Sequence, residues 1–225
     1  MNGPDSERAW PMYRALVGVG MVCGLLIAVV FAGTRPAIEQ NRAEALERAV
    51  FAVLPGAQRR VTLILMADGR VTSDVEAPGE RFDAAFGADG KLVGVAIEAS
   101  GMGYADTITL LYGYSPASET ITGFRVLASR ETPGLGDRIE KDPAFLANFA
   151  ALDVSLDESG RSLRNAIETV KPRAATEPWQ IDGITGATIS SEAVGEILAR
   201  STARWVPLIV ENRDEITARG RDEAR

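Results

Sequence analysis

Two short loops hold the residues whose types and spacing suit chemistry. One is Asp182-Gly183-Ile184-Thr185-Gly186-Ala187-Thr188, directly before an expected helix. Gly186 and Ala187 leave little side-chain bulk beside Thr188, so a large group could reach its hydroxyl. The amides of Ile189 to Ser191, opening the helix, favour an anion at the same place. The combination is a candidate phosphate seat beside an exposed hydroxyl, although a threonine that merely caps a helix has the same local composition. The other loop, Glu131-Thr132-Pro133-Gly134-Leu135-Gly136-Asp137, follows an expected strand. Its glycines permit positive φ and close backbone approach to a ligand, and Pro133 stiffens the entry. An ordinary surface turn fits that composition as well.

The rest of the inventory excludes more than it offers. The 225 residues contain no histidine and one cysteine, Cys23. There is accordingly no Ser-His-Asp or Cys-His pair, no imidazole zinc site, no intrachain disulfide, no CxxC pair and no protein-ligated iron–sulfur cluster. If the chain takes part in redox chemistry, the electrons must reside on a borrowed group. A net charge of −7 with only three lysines, Lys91, Lys141 and Lys171, argues against nucleic acid as a partner.

The elements that must position the two loops are legible in outline. Ala15 to Gly33 runs nineteen residues without a charge, about 28 Å as a helix and close to one bilayer core, and is read as a retained transmembrane helix. A cleavable signal peptide or a buried core helix are the rival readings. Arginines flank the run on both sides, so their count does not orient it. The 29 acidic and 22 basic residues beyond it carry the whole −7, and a single anchor before such a domain is consistent with export. Thr34 and Pro36 suggest the start of a separate stalk helix that ends at Pro55-Gly56. Strand signals follow at Val61–Met66, Arg81–Phe86, Lys91–Glu98, Thr107–Tyr114 and Thr120–Ala128, an antiparallel meander. Pro143 to Leu152 is a short helical or irregular piece with apolar Phe145, Leu146, Phe149 and Leu152. Ser190 or Ser191 is expected to cap a long final helix with the stripe Val194, Ile197, Leu198, Ser201, Trp205, Leu208 and Ile209. Nine charges in the last fifteen residues read as a solvated or frayed end. The expected organisation is a tail at 1–14, a span at 15–33, a stalk at 34–56, one α+β domain at 57–210 and a charged tail at 211–225.

Asp182 to Thr188 matches the D-x-x-S/T-G-A-T signature of proteins that carry FMN through a phosphoester to the final threonine. Glu131 to Asp137, continuing to Arg138-Ile139-Glu140, resembles a second block of that family. With one amino-terminal anchor and both blocks in this order, the chain resembles the G subunit of Rnf ion-translocating electron-transport complexes over nearly its whole length. The resemblance implies an FMN-binding domain with an antiparallel sheet and flanking helices. Thr188 would be the attachment residue, loaded by a separate flavin transferase that consumes FAD. Asp182, Thr185, Gly186 and Ala187 would form the transferase recognition motif and flavin surroundings, and Thr132, Pro133, Gly134, Leu135 and Gly136 a loop beside the flavin. Partners would be the other subunits of the complex, with ferredoxin and NAD(H) reached through them. The location would be the bacterial inner membrane, with the domain on the periplasmic side. One stretch departs from the family pattern: Gly101-Met102-Gly103-Tyr104 is followed by Ala105-Asp106-Thr107, without the glycine relatives have there, which leaves Tyr104 open between flavin contact and ordinary surface tyrosine. The alternatives are the C subunit of a Na⁺-translocating NADH:quinone reductase, an FMN domain serving another reductase or a membrane regulator, and a cofactor-free tethered interaction domain.

Overall fold

Runs rich in β-branched and aromatic residues, punctuated by turns such as Gly87-Ala88-Asp89-Gly90, build the sheet first. The computed structural model describes residues 5–222, with side chains from Trp10 to Gly220. The parts of the two expected tails at 1–4 and 223–225 lie outside the described residues. Strands β1 (Arg59–Leu65), β2 (Val71–Thr72), β3 (Glu80–Phe86), β4 (Leu92–Met102), β5 (Thr107–Ser115), β6 (Thr120–Ala128) and β7 (Leu152–Asp153) form one sheet. Their order is β2-β1-β3-β4-β5-β6-β7 and every pairing is antiparallel, so the expected meander is present. Strand β4 runs four residues beyond its expected end, because Ala99 to Met102 pair with Leu110 to Thr107. Ladder partners there override a local sequence of small and polar residues.

The chain divides into two units, residues 1–46 and 47–225. Residues 5–46 of the first belong to helix α1 (Asp5–Val53). Every large apolar side chain from Trp10 to Phe31 is exposed, and the helix is long and apolar enough to cross a membrane. Thr34 does not start a new helix: its hydroxyl donates to Val30 O at 2.8 Å within a continuous helix. Strong helix formers on both sides and the Arg35–Glu39 ion pair, one turn apart at 2.8 Å, carry the helix through Pro36.

In the second unit the sheet has a packed element on each face. Helix α3 (Thr188–Glu211) covers one, burying Val194, Ile197, Leu198, Trp205 and Ile209. The Tyr112 hydroxyl meets Ser201 Oγ at 2.8 Å, and the Phe82 and Trp205 rings pack edge to face at 5.6 Å. Strand residues alternate between faces, so Gly113, between Tyr112 and Tyr114, looks the other way. A side chain at Gly113 or Gly123 would strike the backbone of Val53, and one at Gly94 would come within 2.6 Å of Leu54. The three glycines thus form a trough that receives the end of α1, closed by the Thr122 hydroxyl donating to Val53 O at 2.8 Å. Backbone cannot yield as a flexible side chain can. Gly113→Ala is therefore expected to cost about 1–3 kcal/mol, the usual range for overpacking, read as a lowered urea midpoint with an unchanged m-value.

Helices α2 (Pro143–Ala147) and α4 (Arg213–Asp222) complete the unit with the parallel pair β8 (Glu168–Val170) and β9 (Gln180–Asp182). The charged end expected to be solvated or frayed is docked instead. Ile216 is fully buried, Gly220 lies against the Phe86 ring, and Arg59 Nη2 donates to Gly220 O at 2.5 Å. One apolar residue and one glycine suffice to dock it, and the count of charges conceals both.

Candidate cofactor site

The two loops adopt the same kind of turn. In Thr132–Leu135 the Leu135 amide donates to Thr132 O at 3.1 Å and Gly134 has φ +81°. In Ile184–Ala187 the Ala187 amide donates to Ile184 O at 3.0 Å and Gly186 has φ +83°. Glycine in the third place with positive φ, after proline or threonine in the second, is the signature of a type II turn. A side chain at either glycine would enter open space, so backbone conformation, not crowding, calls for glycine there. Asp137 Oδ1 accepts from the Gly134 amide at 2.7 Å and holds the first turn to the 3₁₀ turn that follows it at Gly136–Glu140.

Helix α3 begins at Thr188, two residues before the expected cap, and no side chain caps it. The two serines expected to do so are buried and engaged elsewhere. Ser191 Oγ donates to Ala187 O and Thr188 O at 3.0 and 2.9 Å and accepts from the Ile184 amide at 3.3 Å. Ser190 Oγ donates to Glu131 Oε2. Thr188 is exposed, and its hydroxyl makes no hydrogen bond among the described residues. The helix therefore presents its unpaired first-turn amides and an unengaged hydroxyl together, an arrangement suited to a phosphate group.

A cleft of about 360 Å³ opens beside them, lined by Tyr104, Thr132, Leu135, Gly136 and residues 186–190. Tyr104, Leu135 and Ile189 on its walls are 66, 53 and 55% exposed, and neighbouring Met102 is 72% exposed. Few other large apolar residues of the second unit are so exposed, and a cluster of this kind marks a ligand or partner surface. Apolar walls next to an anion seat match a flat, mostly apolar ring system carrying a phosphate.

Of the expected site residues, Thr132, Leu135, Gly136, Gly186, Ala187 and Thr188 line this cleft. Pro133 and Gly134 shape the turn behind Leu135. Asp182 and Thr185 face a second, more polar hollow of about 510 Å³ behind the loop, with Arg138, Asp142 and Arg173. There the Asp182 carboxylate accepts from the Ala174 and Ala175 amides at 2.8 and 2.9 Å, while Asn148 bonds both its amide and its carbonyl at 3.1 and 3.2 Å. Arg138 Nη1 donates to Thr185 O at 2.7 Å, and its Nη2 to Asp142 Oδ2, also at 2.7 Å. The first cleft alone combines the hydroxyl, the helix end and the apolar walls, so it is the candidate site. The second hollow braces its loop. Sequence reasoning left Tyr104 open, named Glu131 only as the first residue of its loop, Arg138 only within the second block, and Ile189 and Ser190 only for their amides or as a cap, and did not mention Asn148. For Ile189 the signal was present in the sequence, as an apolar residue following the threonine.

Electrostatics reinforce the brace. The Arg138 guanidinium, then the Phe145 and Ala144 amides, hold the Asp142 carboxyl below its usual range. A lowered folded-state value means that the contribution is present above the unfolded value near 3.8 and is lost as pH falls below it. Asp142→Asn is expected to flatten the loss of urea stability on acidification below about pH 4, measured against the wild-type chain.

Residues 103–202 match the FMN-binding domain family. The chain is 30% identical over 197 residues to the G subunit of the ion-translocating oxidoreductase complex of Methanosarcina acetivorans, covering 86% of this chain and 93% of that protein. It is 32% identical over 130 residues to the G subunit of the Na(+)-translocating ferredoxin:NAD(+) oxidoreductase complex of Acetobacterium woodii, covering 56% of each. The crystal structure of the C subunit of Na(+)-translocating NADH-quinone reductase from Parabacteroides distasonis shares the fold, with TM-score 0.60 and 20% identity over 78% of this chain and 96% of that one. The chain belongs to the G-subunit family of ion-translocating oxidoreductase complexes, and its candidate site lies inside the FMN-binding domain.

Proposed function

We propose that the chain is a membrane-anchored flavoprotein subunit of an ion-translocating ferredoxin/NAD electron-transport complex, with FMN held by a phosphoester to Thr188. One observation carries this reading: the unengaged Thr188 hydroxyl stands at an uncapped helix N-terminus on the rim of an apolar cleft. In attachment, Thr188 Oγ1 would bond to the FMN phosphorus of FAD and pass its proton to the transferase, with AMP leaving as the phosphoanhydride bond breaks. The first amides of α3 would hold the phosphodiester charge that remains. Tyr104, Leu135 and Ile189, on the walls of the cleft, would hold the apolar part of a bound ring and exclude water from it, and Gly186 keeps the approach to Thr188 free of side chain. Bound FMN supplies the acceptance and donation of electrons, which no side chain here provides. The chain has no independent catalysis in this reading.

The run Ala15 to Gly33, within the continuous helix α1, anchors the chain in the bacterial inner membrane as a single pass. The flavin domain, with α4 docked on it, lies on the periplasmic side. A single span without ionisable residues offers no route for Na⁺ or H⁺, so translocation falls to the partner subunits. Those subunits also supply contact with ferredoxin and NAD(H). Mass spectrometry of the peptide containing Thr188, from protein co-expressed with a flavin transferase, tests the reading. The expected result is an added FMN minus one water. An unmodified peptide from protein that is otherwise folded would overturn it.

A further inference from the structure

The cleft is walled by three stretches of chain far apart in sequence: the corner carrying Tyr104, the turn carrying Thr132 and Leu135, and the start of α3 with Thr188 and Ile189. One side chain bonds across all three. Glu131, immediately before the turn, is 5% exposed. Its Oε1 accepts from the Ala105 amide at 2.9 Å, and its Oε2 accepts from the Ser190 hydroxyl. It forms no ion pair among the described residues, and burying a carboxylate without a cation is costly. The neighbouring glycines fit around it. A side chain at Gly103 would come within 2.5 Å of Glu131 Oε1, and one at Gly136 would strike Oε2 and approach Ser190 Oγ at 2.8 Å. The length of the side chain matters, since aspartate is one methylene too short to reach both donors from the same backbone position.

We propose that Glu131 is a positioning residue that sets the width of the cleft, holding Tyr104 and Leu135 at a fixed distance from Thr188 and Ile189. It does not line the cleft and acts only through the segments it joins. For a bound flavin the inference rests on the function proposed above, and there Glu131 fixes how the ring lies against Tyr104 and Leu135. Glutamine can replace it geometrically, with Oε1 accepting from Ala105 and Nε2 donating to a reoriented Ser190 hydroxyl. Alanine leaves the buried Ser190 hydroxyl and the more exposed Ala105 amide without this partner.

Hydrogen exchange on the full-length chain in detergent, expressed without transferase, tests the joint independently of any flavin. In Glu131→Ala the segments 103–107, 132–136 and 188–191 are expected to exchange about tenfold faster or more, while β3 and β5 keep wild-type rates. Glu131→Gln is expected to restore slow exchange, and Gly136→Ala to reproduce the alanine pattern by wedging the same contact from the other side. In the loaded protein Glu131→Ala is expected to change the visible circular dichroism of the flavin and to increase its quenching by iodide, both recovered in Glu131→Gln. Unchanged exchange in the three segments, or acceleration spread evenly over the sheet, would overturn the proposal, as would a glutamine variant indistinguishable from alanine. Wild-type protein that carries no flavin after co-expression would defeat the proposed function and leave the exchange result standing.

Discussion

Thr188→Ala is expected to abolish flavin attachment without disturbing the fold. In protein co-expressed with a flavin transferase, flavin fluorescence in a denaturing gel falls to background, because Thr188 Oγ1 is the one protein atom proposed to bond the FMN phosphorus. The side chain is exposed and its hydroxyl bonds to nothing among the described residues. Its removal therefore belongs with surface substitutions, within about 0.5 kcal/mol, a shift of no more than about 2 °C in a chain of this size. Thr188→Val sharpens the test, since it keeps the branched shape and removes only the nucleophile. It is expected to match alanine in the gel. Residual fluorescence in either variant would place the covalent attachment on another residue.

That prediction was open to sequence reasoning because the Thr-Gly-Ala-Thr loop is local: a glycine, a small residue and a hydroxyl in consecutive positions. The sheet was legible for a similar reason, since β-formers and turn residues alternate within windows of ten residues. The stripe on α3 followed from its period of 3.6. Glu131 was not legible. Its partners are 26 and 59 positions away, so reading it as the first residue of its loop does not show what it joins. The start of α3 was displaced for the same physical reason. Ser190 and Ser191 are good caps by composition, but Glu131, Ile184 and the backbone at Ala187 and Thr188 compete for their hydroxyls, and the helix end is left bare. The docked α4 shows the same limit, because long-range packing decided what charge density suggested otherwise.

The second large effect is expected at Phe149, which sequence reasoning marked only as apolar. Its fully buried ring stacks on Phe124 at 4.4 Å and meets Phe145 edge to face at 5.1 Å. Phe149→Ala removes both contacts and leaves a cavity under the short 3₁₀ turn Asn148–Ala150, a change that costs about 3–5 kcal/mol. With roughly 2–4 °C per kcal/mol for a chain of this size, the thermal midpoint falls by about 10 °C. The consequence reaches the site through one neighbour. Asn148, on the same turn, bonds the amide and the carbonyl of Asp182, the residue that opens the loop ending in Thr188. Phe149→Ala is therefore expected to slow flavin loading even at temperatures where the protein is fully folded, whereas Phe149→Leu, which fills most of the space, retains more of both stability and loading. A Phe149→Ala protein with a lowered midpoint and a wild-type loading rate would show that the aromatic cluster supports the fold alone, and that Asn148 keeps its hold on Asp182 without it.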